Sequence, residues 1–107
     1  MCIAEDNKQD WWLGTENGCY KVNDDEVIHF DEKSGFTDNS VNHIYKDVEN
    51  NLLFATNAGG IYKFRENTFT YYDKSCGLPN TIVMGVVQRK DKSIYAAGYG
   101  GGLYKIN

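Results

Sequence analysis

"WWLGTENGCYKV", residues 11–22, sets two indoles side by side, then Gly-Thr, a polar pair, a second glycine and Cys-Tyr-Lys-Val. Its reading decides the fold because the chain says nearly the same thing twice more. The echoes are "LLFATNAGGIYKF" at 52–64 and "IYAAGYGGGLYKI" at 94–106. Sliding the chain by 41 residues puts Asp6 on Asp47, Trp12 on Leu53, Gly14 on Ala55 and Thr15 on Thr56. After one extra residue at Gly59-Gly60 the offset becomes 42, which puts Tyr20 on Tyr62, Lys21 on Lys63, Asp31 on Asp73 and Gly35 on Gly77. A further shift of 42 puts Val41 on Val83, Ile44 on Val86, Gly60 on Gly102, Tyr62 on Tyr104 and Lys63 on Lys105. A register that holds along the whole chain with one insertion is an internal repeat.

Each unit holds four short strand-like runs, in the second unit about 41–45, 52–56, 61–64 and 68–72. The breaks between them, "KDVENN", "NAGG" and "REN", are rich in residues that accept turn conformations. Inner runs such as "LLFA" and "IYAA" are apolar at consecutive positions, as in strands covered on both faces, and helical spacing is nowhere sustained. A repeat of 41–42 residues with four antiparallel strands is a β-propeller blade. The expected fold is therefore all-β, with just under three blades: 1–30 with its first strand truncated, 31–72, and 73–107 with its outer strand missing. Closed propellers take roughly 4–8 blades. The arc is thus expected to be a piece of a longer propeller, to close a ring with copies of itself, or to stand open. The alignment of Met1 with Asn42 and Met84 places the start of the chain within a strand, as in a fragment.

Composition agrees with this reading. Of 107 residues, 41% are hydrophobic and 14% aromatic, enough for a packed core, and eleven glycines with eight tyrosines suit short strands and tight turns. A net charge of −4 gives no basic footprint, so neither nucleic acid nor anionic lipid is an expected partner. No apolar run approaches the ~20 residues of a bilayer span. "MCIAEDNKQD" does not read as a secretory leader, so any export address is expected from outside this segment. Three cysteines without CxxC spacing, Cys2, Cys19 and Cys76, read as structural thiols.

The runs "GLPNTIV", "KDKSIYAAG", "EDNKQDWWLGTENG" and "GGIYKF" resemble the two-component regulator propeller repeat, whose pattern is roughly G-L-x-N-x-V-x-x-I-x-x-D-x-x-G-x-I-W-I-G-T-x-x-G-G-L. Gly35-Phe36 and Gly77-Leu78 match its opening pair, Val41, Ile44 and Asp47 the next strand and its exit, Trp12, Gly14 and Thr15 its core, and Gly60-Ile61 and Gly102-Leu103 its closing pair. The tryptophan is replaced by Leu53 and Tyr95 in the later units, and the Gly-Thr by Ala55-Thr56 and Ala97-Gly98. The resemblance implies a periplasmic sensor propeller of a hybrid two-component system, sensing a carbohydrate and signalling to a histidine kinase encoded elsewhere.

Scaffold residues repeat, so ligand contacts are sought among those that do not. Trp11 aligns with Leu52 and Ile94 and reads as core, as do Trp12 and the repeated Tyr20, Tyr62 and Tyr104. Strand parity puts each unit's entry loop and its second-to-third turn at one end of the arc. The polar and aromatic residues gathered there are Asp38, Asn39, Asn42, His43, Asn80, Asn17, Asn57 and Tyr99. Asp38, Asn39, Asn42, His43, Asn80 and Tyr99 are the candidates for an oligosaccharide: carboxylate and carboxamide groups bond hydroxyls, and an aromatic ring offers an apolar face. His29, aligned with Tyr71, reads as filling an outer-strand packing slot. No metal or cofactor is expected, because the two histidines lack a second ligand at metal spacing and Asp24-Asp25-Glu26 lacks a calcium-loop pattern. GxSxG is absent and the inner strands carry no charged pair, so a binding module is expected rather than an enzyme. A purely self-assembling propeller piece is the alternative, and a propeller lyase a weaker one.

Overall fold

In the computed structural model the described residues are 1–31, 33, 40–57, 60–66, 68–72 and 82–106. They contain eleven β-strands: β1 (Cys2–Glu5), β2 (Trp11–Thr15), β3 (Gly18–Val22), β4 (Val27–Phe30), β5 (Val41–Lys46), β6 (Leu52–Thr56), β7 (Ile61–Arg65), β8 (Thr68–Tyr72), β9 (Val83–Gln88), β10 (Ile94–Gly98) and β11 (Leu103–Ile106). These form three antiparallel meanders, β1-β2-β3-β4, β5-β6-β7-β8 and β9-β10-β11. The fold is that of partial propeller blades, as the repeat requires.

The first connection of every sheet is the same loop. Asp6 N–H donates to Asp10 O at 3.0 Å, Asp47 N–H to Asn51 O at 2.9 Å and Arg89 N–H to Ser93 O at 2.8 Å. The second residue before the strand resumes has positive φ each time: Gln9 at 68°, Asn50 at 67° and Lys92 at 73°. Left-handed backbone favours glycine, which the family pattern carries there; this chain uses other residues and holds them with local bonds. Asp6 Oδ1 accepts from the N–H groups of Lys8 and Asp10, Asp47 Oδ1 from those of Glu49 and Asn51, and Asp91 Oδ1 from that of Ser93. Thr15 and Thr56 recur for a related reason. Their hydroxyls donate to Gly18 O at 3.0 Å and Gly60 O at 2.8 Å, closing the second turn. Gly18 itself has φ +82°, and a Cβ there would run into the Phe30 carbonyl.

Because side chains alternate along a strand, each sheet has two faces. One face of the first sheet carries Cys2, Ala4, Trp12, Cys19 and Phe30. It packs on Val41, Ile44, Leu52, Phe54, Tyr62, Phe64 and Phe69 of the second. The other face of the second sheet, with Tyr45, Leu53, Ala55, Ile61 and Tyr72, packs on Val83, Val86, Ile94, Ala96, Tyr104 and Ile106 of the third. All five positions of β6 are buried, as its unbroken apolar run requires. Trp12 is the centre of the first joint: its indole stacks on Phe30 at 5.4 Å, meets Phe54 edge-on at 5.7 Å and lies 4.9 Å from Phe64.

Trp11 departs from the expectation of a core residue, being 46% exposed. It lies on the first sheet's other face, where the second and third sheets have Leu52 and Ile94 under a preceding sheet. Alignment gave its strand position correctly, but burial depends on a neighbour that the described residues do not supply.

Trp12→Ala is expected to cost about 3–5 kcal/mol in urea unfolding, the range for emptying a large aromatic site. A loss below about 1 kcal/mol, typical of surface changes, would contradict its place at the first joint.

Candidate functional site

Asn42, His43 and Tyr99 are the sequence-derived site residues within the described structure; Asp38, Asn39 and Asn80 lie outside the described residues, as does Cys76. Strand parity placed the end correctly: Asn57 N–H donates to Ser40 O and Tyr99 N–H to Ile82 O, so the β6–β7 and β10–β11 turns meet the entries of β5 and β9.

A β-bulge governs what the first two can do. Between Val41 and His43 the register with β6 slips by one residue, and β9 slips at the equivalent position, Met84. A bulge re-aims side chains. Asn42 and His43, though consecutive, both reach the third sheet. The Asn42 carboxamide N–H donates to Val83 O at 2.9 Å and Asn57 Oδ1 at 3.1 Å, with Met84 Sδ at 3.7 Å. Val86 N–H donates to His43 Nδ1 at 3.2 Å, which fixes that nitrogen as an acceptor and the ring as neutral. Burial accordingly lowers the His43 pKa from its ordinary value. Both side chains tie neighbouring sheets together. Tyr99, 70% exposed, leaves its ring open to solvent.

A cleft lies at the other end. About 250 Å³ in volume, it opens between the β1–β2 loop and the β5–β6 loop, with the end of β7 as its side wall. Asn7, Lys8, Glu49, Asn50, Arg65 and Glu66 ring it, and Leu52 and Phe64 supply apolar surface. The side chains of Asn7, Lys8, Asn50 and Arg65 make no hydrogen bond or ion pair with other described residues. Asp6 and Lys21 line the cleft but are engaged. Asp6 Oδ2 accepts from the Trp12 indole N–H at 2.9 Å, and Lys21 Nζ sits 3.4 Å from Asp10 and 5.9 Å from the Trp12 ring centroid. Burial would raise the Asp6 pKa. The bonds from Trp12, Asp10 and Lys8, with the Lys21 charge, outweigh burial and hold the carboxyl below its ordinary value.

The sequence could have flagged this cleft only through its non-repeating residues. Asn7, Lys8 and Glu49 align with no common residue, but they look like ordinary turn residues until two loops are brought together. His29 is where the alignment put it, stacked 4.2 Å from Tyr20 with its Nε2 at 2.6 Å from Asn17 O. Cys2 and Cys19 are free thiols, and burial pushes Cys19 up to about 12, so it stays protonated and inert. Among the described residues no group of three or more His, Cys, Asp or Glu side chains could hold a metal, and no helix is long and apolar enough to cross a membrane.

No family model and no curated protein matches the sequence. Solved structures do share its fold. The extracellular domain assigned to the hybrid two component system BT3049 of B. thetaiotaomicron aligns with TM-score 0.78 and 25% identity over 90% of this chain. That assigned to the one component system BT4673 of the same organism aligns with TM-score 0.82 and 19% identity over 97%. Virginiamycin B lyase from Staphylococcus aureus aligns with TM-score 0.69 and 16% identity over 98%; at the last two identities the likeness is one of fold. The chain spans 14% and 16% of the two extracellular domains and 40% of the lyase. The resemblance to sensor propellers of two-component systems, carried by the sequence motifs, is thus matched in structure.

The His43 latch makes stability depend on pH. The folded state disfavours protonated His43, so the unfolded chain takes up the proton first as pH falls below its ordinary 6.5. Stability is fully present above that value and is lost downward until the lowered folded pKa is reached, then levels off. Tm measured from about pH 8 to about pH 5 is expected to fall less for His43→Gln than for the native chain. Equal slopes would mean that the ring does not serve as an acceptor.

Proposed function

We propose that the chain is a ligand-binding module in the sensor propeller of a two-component regulatory system, exposed to the periplasm, where it recognises an oligosaccharide by binding and without turnover. The observation that carries this reading is its likeness, in sequence as well as fold, to the extracellular domain of a hybrid two component system. The remainder of a longer propeller and a histidine kinase elsewhere are its natural partners.

The chemistry of the cleft supports a carbohydrate. A sugar presents hydroxyls around its rim and C–H groups on its faces. Asn7 and Asn50 offer both donors and acceptors, Lys8 and Arg65 add charge-assisted donors, and Leu52 and Phe64 give apolar surface. The opposite end is the second place to look. Tyr99 is open there, but the Asn42 carboxamide N–H and His43 Nδ1 are already engaged with the third sheet.

Binding of an oligosaccharide panel, followed by calorimetry on the full chain, tests the reading. At least one oligosaccharide is expected to bind, and Lys8→Ala with Arg65→Ala to weaken it by about tenfold or more, equivalent to about 1.4 kcal/mol. Tyr99→Ala should leave that affinity unchanged. Loss with Tyr99→Ala alone would move the site to the opposite end, and a panel without binders would overturn the carbohydrate assignment.

A further inference from the structure

Asn42 and Met84 are repeat equivalents, each the extra residue of a bulge, one in β5 and the other in β9. Their side chains also meet. The Asn42 carboxamide nitrogen lies 3.7 Å from Met84 Sδ while donating to Val83 O at 2.9 Å and Asn57 Oδ1 at 3.1 Å. That nitrogen carries two hydrogens, and three acceptors face it. Thioether sulfur is the weakest of the three, so the two oxygens hold the hydrogens. The bond to Val83 O joins the second sheet to the third, and the bond to Asn57 holds the turn after β6 against β5.

Met84 is 46% exposed, and an exposed thioether is open to two-electron oxidation. Its access to solvent is a property of the position: Asn42, the equivalent with the third sheet beside it, is itself only half-buried. The two described thiols compete poorly for an oxidant. Burial holds Cys2 and Cys19 above the ordinary thiol pKa, so neither supplies the reactive thiolate.

We propose that Met84 is a redox modification site, at which a peroxide converts the thioether to a sulfoxide whose oxygen takes the Asn42 hydrogen now given to Asn57. A sulfur lone pair attacks one peroxide oxygen, the O–O bond breaks and an S–O bond forms. Sulfur gives up two electrons, the peroxide accepts them, and its other oxygen leaves as water. The sulfoxide oxygen is polar where the thioether was apolar, so two hydrogens now face three strong acceptors. Asn57 yields, because its exposed carboxamide can turn to water, whereas Val83 O is partly buried and would be left without a partner. The turn after β6 keeps its backbone bond from Asn57 N–H to Ser40 O at 3.1 Å but loses its side-chain tie to β5. The sheet-to-sheet bond stays. This device lies at the end opposite the cleft and requires no ligand.

Stepwise hydrogen peroxide treatment of the full chain tests it, with peptide mass spectrometry to locate added oxygen and NMR of the Asn42 and Asn57 carboxamides. Met84 is expected to gain one oxygen before Cys2 or Cys19 reacts, and both carboxamide signals to shift in step with it. Methionine sulfoxide reductase with a thiol reductant should return them. Met84→Leu, which conserves volume, should abolish the shifts at the same peroxide dose. Asn42→Ala should leave Met84 oxidisable but the Asn57 signal unmoved, with circular dichroism confirming that each variant is folded. A Met84 that resists peroxide until the chain is unfolded would overturn the proposal. So would oxidised Met84 with unshifted carboxamides, or shifts that survive in Met84→Leu.

Discussion

Everything in this molecule depends on one contact made twice: the face of one sheet against the opposite face of the next. A single sheet of four short strands has too little enclosed apolar surface to stand alone, so the repeat is stable only as a stack. The contact fixes the alternation along every strand, since a slip of one residue would carry Trp12 out of its joint and Leu13 into it. At the first joint the indole of Trp12 fills the space between Phe30, Phe54 and Phe64, and its N–H is satisfied by Asp6. At the second joint Leu53 holds the equivalent place and needs no such partner, and Asp47 turns instead to Asn51, which donates to Asp47 Oδ2 at 3.2 Å. The repeat keeps the loop geometry and lets the acid's second role change.

The sequence was most legible where the repeat is. Strand positions inferred for the second unit differ from the observed ones by at most one residue, at the ends of β5 and β7, because turn chemistry and apolar runs both mark them. It was least legible where an answer depends on what lies across a gap. Trp11 and Leu52 are equivalent in sequence, yet one is exposed and the other buried, and only the presence of a preceding sheet separates them. The bulges at Asn42 and Met84 escaped notice because an extra residue in an inner strand leaves no mark on composition. The bulge at Asn42 lets Asn42 and His43 reach the same neighbour. The cleft escaped for a related reason, being built from two loops 41 residues apart whose side chains are unremarkable singly.

Cross-sheet hydrogen bonds give the second joint a polar character. Asn42, His43, Tyr45 and Val48 all bond to backbone or side chain of β9, the last two through Gln88. The third sheet offers smaller side chains to this joint, with Ala96 where the second sheet has Phe54, so less apolar area is available and polar latches make up part of the difference. That trade has a consequence for specificity. Hydrogen bonds require their partners at set positions, whereas apolar contacts tolerate sliding, so the latched joint fixes the register of the third sheet more tightly than area alone would.

The cleft and the scaffold share residues. Asp6 and Lys21 line it, and the same two side chains hold the indole of Trp12, one by a hydrogen bond at its edge and the other from above its ring. A ligand drawing on either charge therefore acts on the residue at the centre of the first joint. Close-packed interiors do not absorb even small shifts locally. Phe54 and Phe64, in contact with that ring, belong to the second sheet, so a disturbance at the cleft is passed to the next sheet by packing. In a stack where every sheet touches only its neighbours, packing is what links one sheet to the next.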